Sequence, residues 1–141
     1  TWIKKNCKGK TIVSPDSIRK ELTGSVSDQT MNSKVFKIAF ARTAANIKQG
    51  RDVVFDSTAI SAHTREILLD MALRNGAAAK LVVFKDSLDS DLCRKRVTKD
   101  IESGVDRSDT RQVDIINRQF LGFQKALSDI RKEPWTTIEE A

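Results

Sequence analysis

Thr11-Ile12-Val13-Ser14-Pro15-Asp16-Ser17-Ile18-Arg19 is the stretch that decides the fold. Thr11 to Ser14 reads as a short buried strand, and Pro15 stops it. Proline has no N–H to give to a ladder, and its fixed φ suits the first residue of a helix. Asp16 then falls in the first helical turn, where the positive end of the helix dipole favours negative charge. Arg19 follows at i+3 on the same face. An acid and a base delivered at the carboxyl end of a strand occupy the usual place for chemistry in an open α/β sheet. The plainer reading is a helix-start acid in a solvated i,i+3 ion pair, worth little energetically. The two readings part only in the light of the rest of the chain.

Working outward, strands and helices alternate. Residues 1–6 read as the tail of a helix that begins upstream, with Lys4 and Lys5 at its C-terminal end. Gly9 and Lys10 turn the chain into the strand. A short helix over 15–21 leads to a polar loop at 22–30. A helix follows from about Asn32 to Gln49, with Val35, Ile38, Ala39, Ala41, Ala45 and Ile47 at helical spacing and Gly50 as its stop. Val53-Val54-Phe55 and Leu81-Val82-Val83-Phe84 are apolar runs without alternation, the pattern of strands buried on both faces. Ser61 is the expected N-cap of a helix running to Asn75-Gly76. A last amphipathic helix spans about Arg111 to Ser128, with Val113, Ile116, Phe120, Phe123 and Leu127 on one face. Residues from Pro134 onward read as a short tail. The expectation is an α/β fold whose strands form one parallel sheet with right-handed crossovers. Three visible strands make a thin sheet, so a further N-terminal strand is expected upstream.

Composition sets the limits. A chain of 141 residues, 39% hydrophobic and 31% charged, suits one globular domain. No apolar run approaches the ~18–20 residues of a membrane span. There is no signal-peptide pattern, although the first residue is Thr1 rather than methionine. Cys7 and Cys93 match no metal or redox spacing and read as free thiols of a reducing, cytoplasmic compartment. The lone His63 cannot build a histidine-rich metal site. A net charge of +6 and a pI near 9.5 are compatible with a polyanionic partner, nucleotide or nucleic acid. With no tyrosine and 6% aromatic residues, a base-stacking platform is not expected.

Two strand ends converge on carboxylates, Asp16 and Asp56. In a parallel sheet both ends open on one edge, so the two can share a crevice. Asp56, Ser57 and Thr58 read equally as helix-entry turn residues bonded to nearby backbone. Arg94, Lys95, Arg96 and Lys99 place four cations within about two turns. A solvated basic face is the default for such a cluster, and a phosphate clamp is the alternative, because arginine contacts phosphate oxygens in a bidentate fork. The polar loop at 103–110 could move as a lid.

These residues, in this order, resemble the P-loop kinases of the polynucleotide 5′-hydroxyl kinase type, especially phage and bacterial members. In that family a Gly-rich loop ends in Gly-Lys-Ser-Thr, often followed by tryptophan and a basic helix. Thr1-Trp2-Ile3-Lys4-Lys5-Asn6 looks like the segment just after that loop, which makes Thr1 its last residue and sets the glycines and lysine upstream. The family's strand ending in Asp with Arg three residues on is matched by Asp16 and Arg19. The resemblance makes Asp16 the general base for an acceptor hydroxyl, and sets Arg19 on the acceptor phosphate or the transferring group. The family's Asp-x-Thr-Asn followed by Arg is matched by Asp56, Ser57, Thr58 and Arg65 as an acceptor or nucleotide pocket, with Ala59 in place of Asn. In the lid, Arg96 fits the first basic position, Val97 departs from the usual Asn, and Lys99 stands for the second basic residue. Gln112-Val113 through Phe120 and Phe123 resembles the family's closing helix.

The resemblance implies a P-loop kinase domain over 1–128, without its first strand and phosphate loop, and a tail over 129–141. It implies ATP and Mg²⁺, the ion held mainly by the upstream serine and the nucleotide, and a nucleic acid as the expected acceptor, with no membrane partner. Two alternatives stay open. The same scaffold phosphorylates small molecules such as sugars, nucleosides or antibiotics. A degenerate, non-enzymatic binding module is the other, favoured by Ala59, Val97 and the missing loop. Without the loop's N–H groups and lysine, residues 1–141 are expected to hold ATP poorly.

Overall fold

The computed structural model describes residues 2–107 and 113–141. The chain divides into two compact units, Thr1–Thr58 and Ala59–Ala141.

The first unit contains α1 (Trp2–Asn6), β1 (Thr11–Val13), α2 (Pro15–Thr23), α3 (Asn32–Lys48) and β2 (Val53–Phe55). β1 and β2 pair in parallel, with Thr11 opposite Val53, Ile12 opposite Val54 and Val13 opposite Phe55. α2 starts where the sequence places it. Ser14 is the extended N-cap residue and Pro15 opens the first turn. The helix ends at Gly24, whose φ of 81° is the left-handed cap that glycine adopts without a Cβ penalty. Ile18 and Leu22 lie at i,i+4 on α2, and Val35 and Ala39 at i,i+4 on α3. They meet over Val13, with Val53 and Phe55 at the margin. Phe40 stacks on Phe55 with centroids 5.7 Å apart. Thr43 is buried on the same face of α3, and its hydroxyl donates to the Ala39 carbonyl.

The second unit contains α4 (Ala62–Arg74), β3 (Lys80–Val83), a 3₁₀ turn (Lys85–Leu88), α5 (Ser90–Glu102), α6 (Val113–Ile130) and β4 (Thr137–Glu140). α6 buries Ile116, Ala126 and Ile130, with Phe120, Phe123 and Leu127 half-buried beside them. These include four of the five positions of the apolar stripe read from the sequence, and the side chain of the fifth, Val113, lies outside the described residues. Val97 on α5 is buried as well.

Three expectations change. The strands do pair in parallel, but as two two-stranded sheets, β1–β2 and β3–β4. In consequence Val53, Val54 and Phe55 are half-buried, not enclosed on both faces. A strand paired on one side only leaves its other edge open. Residues beyond Pro134 are also not simply a tail, because Thr137–Glu140 forms β4 in parallel register with Lys80–Val83. Lys80 pairs with Glu139, and Lys85 with Glu140 at 3.0 Å. Cross-strand bonding and charge pairing supply what the polar sequence Thr-Ile-Glu-Glu does not advertise. Among the described residues, no helix is long and apolar enough to cross a membrane.

Candidate active site

The site grows from the β1–α2 junction in the first unit. The backbone N–H of Asp56 donates to the Val13 carbonyl at 2.8 Å, which ties the exit of β2 to the end of β1. Asp16 and Asp56 are therefore brought to one edge, as parallel pairing requires. Asp56 is solvent-exposed, but partial desolvation by the surrounding protein raises its carboxyl above the ordinary 3.8, and the nearby charge of Asp16 adds a smaller push in the same direction. Asp16 itself stands on the surface, its side chain 65% exposed.

Arg19 is its opposite, a guanidinium only 4% exposed. One Nη donates to Asp16, and the other donates to Asn32 Oδ1 at 2.8 Å. Among the described residues, its buried Nε–H finds no acceptor, and neither does the buried Ser57 hydroxyl. Buried donors are almost always satisfied, so two orphans at this strand edge leave hydrogen-bonding capacity for an incoming group. Thr58 is exposed. Asn32, the first residue of α3, was not foreseen as a site residue, because a polar residue at a helix start reads as a cap and its partner lies 13 positions away.

The other sequence-derived candidates belong to the second unit. Arg65 is 1% exposed. Its Nε and one Nη hold Glu133 at 2.8–2.9 Å, while the other Nη donates to the Ala59 and Ile60 carbonyls at 2.9 and 2.7 Å. Glu133 also accepts from the Trp135 indole at 2.8 Å. These bonds, those to Arg65 first, hold the Glu133 carboxyl below its ordinary 4.5. Ala59, where the resembling family carries Asn, has φ of 45°. That left-handed conformation is one Asn tolerates and Ala does not favour. Arg96 pairs with Asp86 at 2.7 Å on the surface, and Lys99 is exposed. Val97 is enclosed in the core, so no side-chain amide stands at that position. Thr1 and residues 108–112, which include Gln112 and the end of the 103–110 loop, lie outside the described residues.

The edge combines a surface carboxylate, an enclosed cation gripping it and two donors without a partner among the described residues. A Gly-rich cradle for nucleotide phosphates does not occur within residues 1–141. Among the described residues, no group of three or more His, Cys, Asp or Glu side chains could fix a metal ion.

The family model described as AAA domain matches residues 1–122. No curated protein matches the chain.

Proposed function

The chain belongs to this AAA-domain family, P-loop NTPase-like and including kinases, and on that footing we propose an ATP-dependent kinase that transfers the γ-phosphate to a hydroxyl, the 5′-OH of a nucleic acid above all. The observation that carries the reading is Asp16, exposed at the shared carboxyl edge of β1 and β2 and gripped from below by the enclosed Arg19.

Phosphoryl transfer asks little covalent chemistry of a protein, and positioning with charge neutralisation does most of the work. Asp16 has the exposure to meet an acceptor and takes the hydroxyl proton as the oxygen attacks. Arg19 is too enclosed to approach a substrate freely. In the arrangement described it orients Asp16, its Nε–H enclosed and without an acceptor among the described residues. The proton-accepting role is given to Asp16 for its exposure and for the Arg19 contact that orients it. Arg96 and Lys99 are the lid cations of this reading. Arg96 gives one Nη to Asp86 in an exposed pair, which costs little to exchange.

A small-molecule acceptor is the second reading, and the binding-module reading draws on Ala59 and Val97. The test uses the full natural protein with γ-labelled ATP, Mg²⁺ and a 5′-OH oligonucleotide. Label on the oligonucleotide that disappears in Asp16→Asn supports both the reaction and the base. ATP binding without transfer points to another acceptor, and absence of ATP binding leaves the binding module.

A further inference from the structure

The positive charge of this protein sits in one unit. Residues 1–58 carry 11 Lys and Arg against 5 Asp and Glu, whereas residues 59–141 carry 14 against 14. The whole surplus of +6 therefore belongs to the first unit. Within it, α3 has 17 residues, four of them basic and none acidic.

The four basic residues are not equivalent. Arg42 is spent on Glu21, in two bonds of 2.7 and 3.1 Å. Lys34, Lys37 and Lys48 are exposed, and the first unit's described ion pairs occupy Lys10, Arg19 and Arg42 instead. At 100° per residue, Lys34, Lys37, Ala41, Ala45 and Lys48 fall within an arc of about 80°, opposite the buried Val35, Ala39 and Thr43. The result is a smooth stripe, lysines separated by small alanines, about 21 Å long at ~1.5 Å per residue.

The dimensions select the partner. A single triphosphate is too short to meet both ends of the stripe, whereas six nucleotides of one strand rise about 20 Å at ~3.4 Å each. A membrane-surface helix needs large apolar side chains flanking its cations. On α3 the large apolar residues are buried or half-buried, Ile38 against the core and Phe40 on Phe55, and only alanines lie between the lysines. We propose that the outer face of α3 binds the phosphodiester backbone of a nucleic acid. The identity of the partner rests on the nucleic-acid reading of the Asp16 site, but the binding itself does not. Because the stripe lies on the face of α3 turned away from the one that packs on the core, it recruits substrate and takes no part in the chemistry.

The experiment measures fluorescence anisotropy of a labelled 20-nucleotide strand bearing a 5′-phosphate, with no ATP present, so that no transfer is involved. The wild-type full protein is compared with Lys34→Gln/Lys37→Gln/Lys48→Gln, its fold checked by circular dichroism. Losing three phosphate contacts should weaken binding about tenfold or more at low salt, and lower the slope of log K against log salt by about 2. Equal affinity and slope in the two proteins would overturn the proposal. So would wild-type binding to phosphatidylserine vesicles with no oligonucleotide binding, which would make the stripe a membrane contact. Asp16→Asn is the control that separates the two claims: it should lose transfer while keeping oligonucleotide affinity. The triple variant should raise KM for a long acceptor and leave kcat unchanged.

Discussion

Arg19 and Arg65 are both enclosed arginines, 4% and 1% exposed, and both hold a carboxylate, but they are built for different ends. Arg65 is satisfied at Nε and at both Nη atoms. Its acid, Glu133, is only 15% exposed and is itself held by an indole N–H. Arg19 keeps its Nε–H unclaimed among the described residues and holds an acid that is 65% exposed. A closed network of this kind fixes a fold. An enclosed cation steadying an exposed carboxylate, with a donor to spare, spends its hydrogen bonds on presenting that carboxylate to something outside. The contrast separates a structural bolt from a candidate site using bonding alone.

The largest effect that could break this contrast is on turnover. Asp16→Asn keeps the size and one acceptor oxygen but cannot take a proton. It should lower kcat of the full protein by about 10²–10⁴, the usual worth of a general base. The transfer assay described above reads it. Turnover within threefold of wild type would reduce Asp16 to a helix-start acid.

The next effect is on stability, and it sets the two arginines against each other. Arg65→Met strands the half-enclosed Glu133 and two backbone carbonyls, and should cost about 3–5 kcal/mol. Arg19→Met leaves Asp16 in contact with water and should cost less, about 1–2 kcal/mol. Urea unfolding midpoints measure both. A larger loss at Arg19 than at Arg65 would invert the assignment of bolt and site.

A smaller effect depends on pH. The Glu133 carboxyl is held below its ordinary 4.5, so its contribution to stability is present above that value and is lost as pH falls through its lowered value. The thermal midpoint of Glu133→Gln should therefore lie below wild type at neutral pH, and the gap should close on acidification past 4.5. A gap that stays constant through that range would show that charge is not what Glu133 contributes.

The sequence discloses one of these arginines far better than the other. Asp16 and Arg19 stand three residues apart at a proline-marked strand end, so local rules bring them together. Arg65 and Glu133 are separated by 68 positions, and neither the spacing nor the residue types announce that they meet. The resemblance made Arg65 a pocket residue, and its enclosure makes it first of all the anchor of the Ala59 and Ile60 carbonyls. The same division runs through the fold. α6 was legible because Ile116, Phe120, Phe123 and Leu127 repeat at helical spacing on one chain segment. β4 was not, because it carries one apolar residue, Ile138, and owes its conformation to β3 and to lysines more than fifty positions away.

The smallest effect tests whether the Asp16 edge carries strain that the Arg65 network lacks. Partial desolvation and the charge of Asp16 both raise the Asp56 carboxyl above 3.8, so folding must hold a charge it disfavours. The sign is opposite to that of Glu133: the folded state gains as pH falls through the raised value and loses as pH rises through it. Asp56→Asn removes that charge and keeps the backbone N–H bond to Val13, which does not involve the side chain. At neutral pH the variant should melt slightly above wild type, by a degree or two, and below pH 3.8 the two should coincide. A variant that melts lower at neutral pH would mean that the Asp56 carboxylate accepts a stabilising bond outweighing its desolvation. The edge would then hold its charge as well as the Arg65 network does.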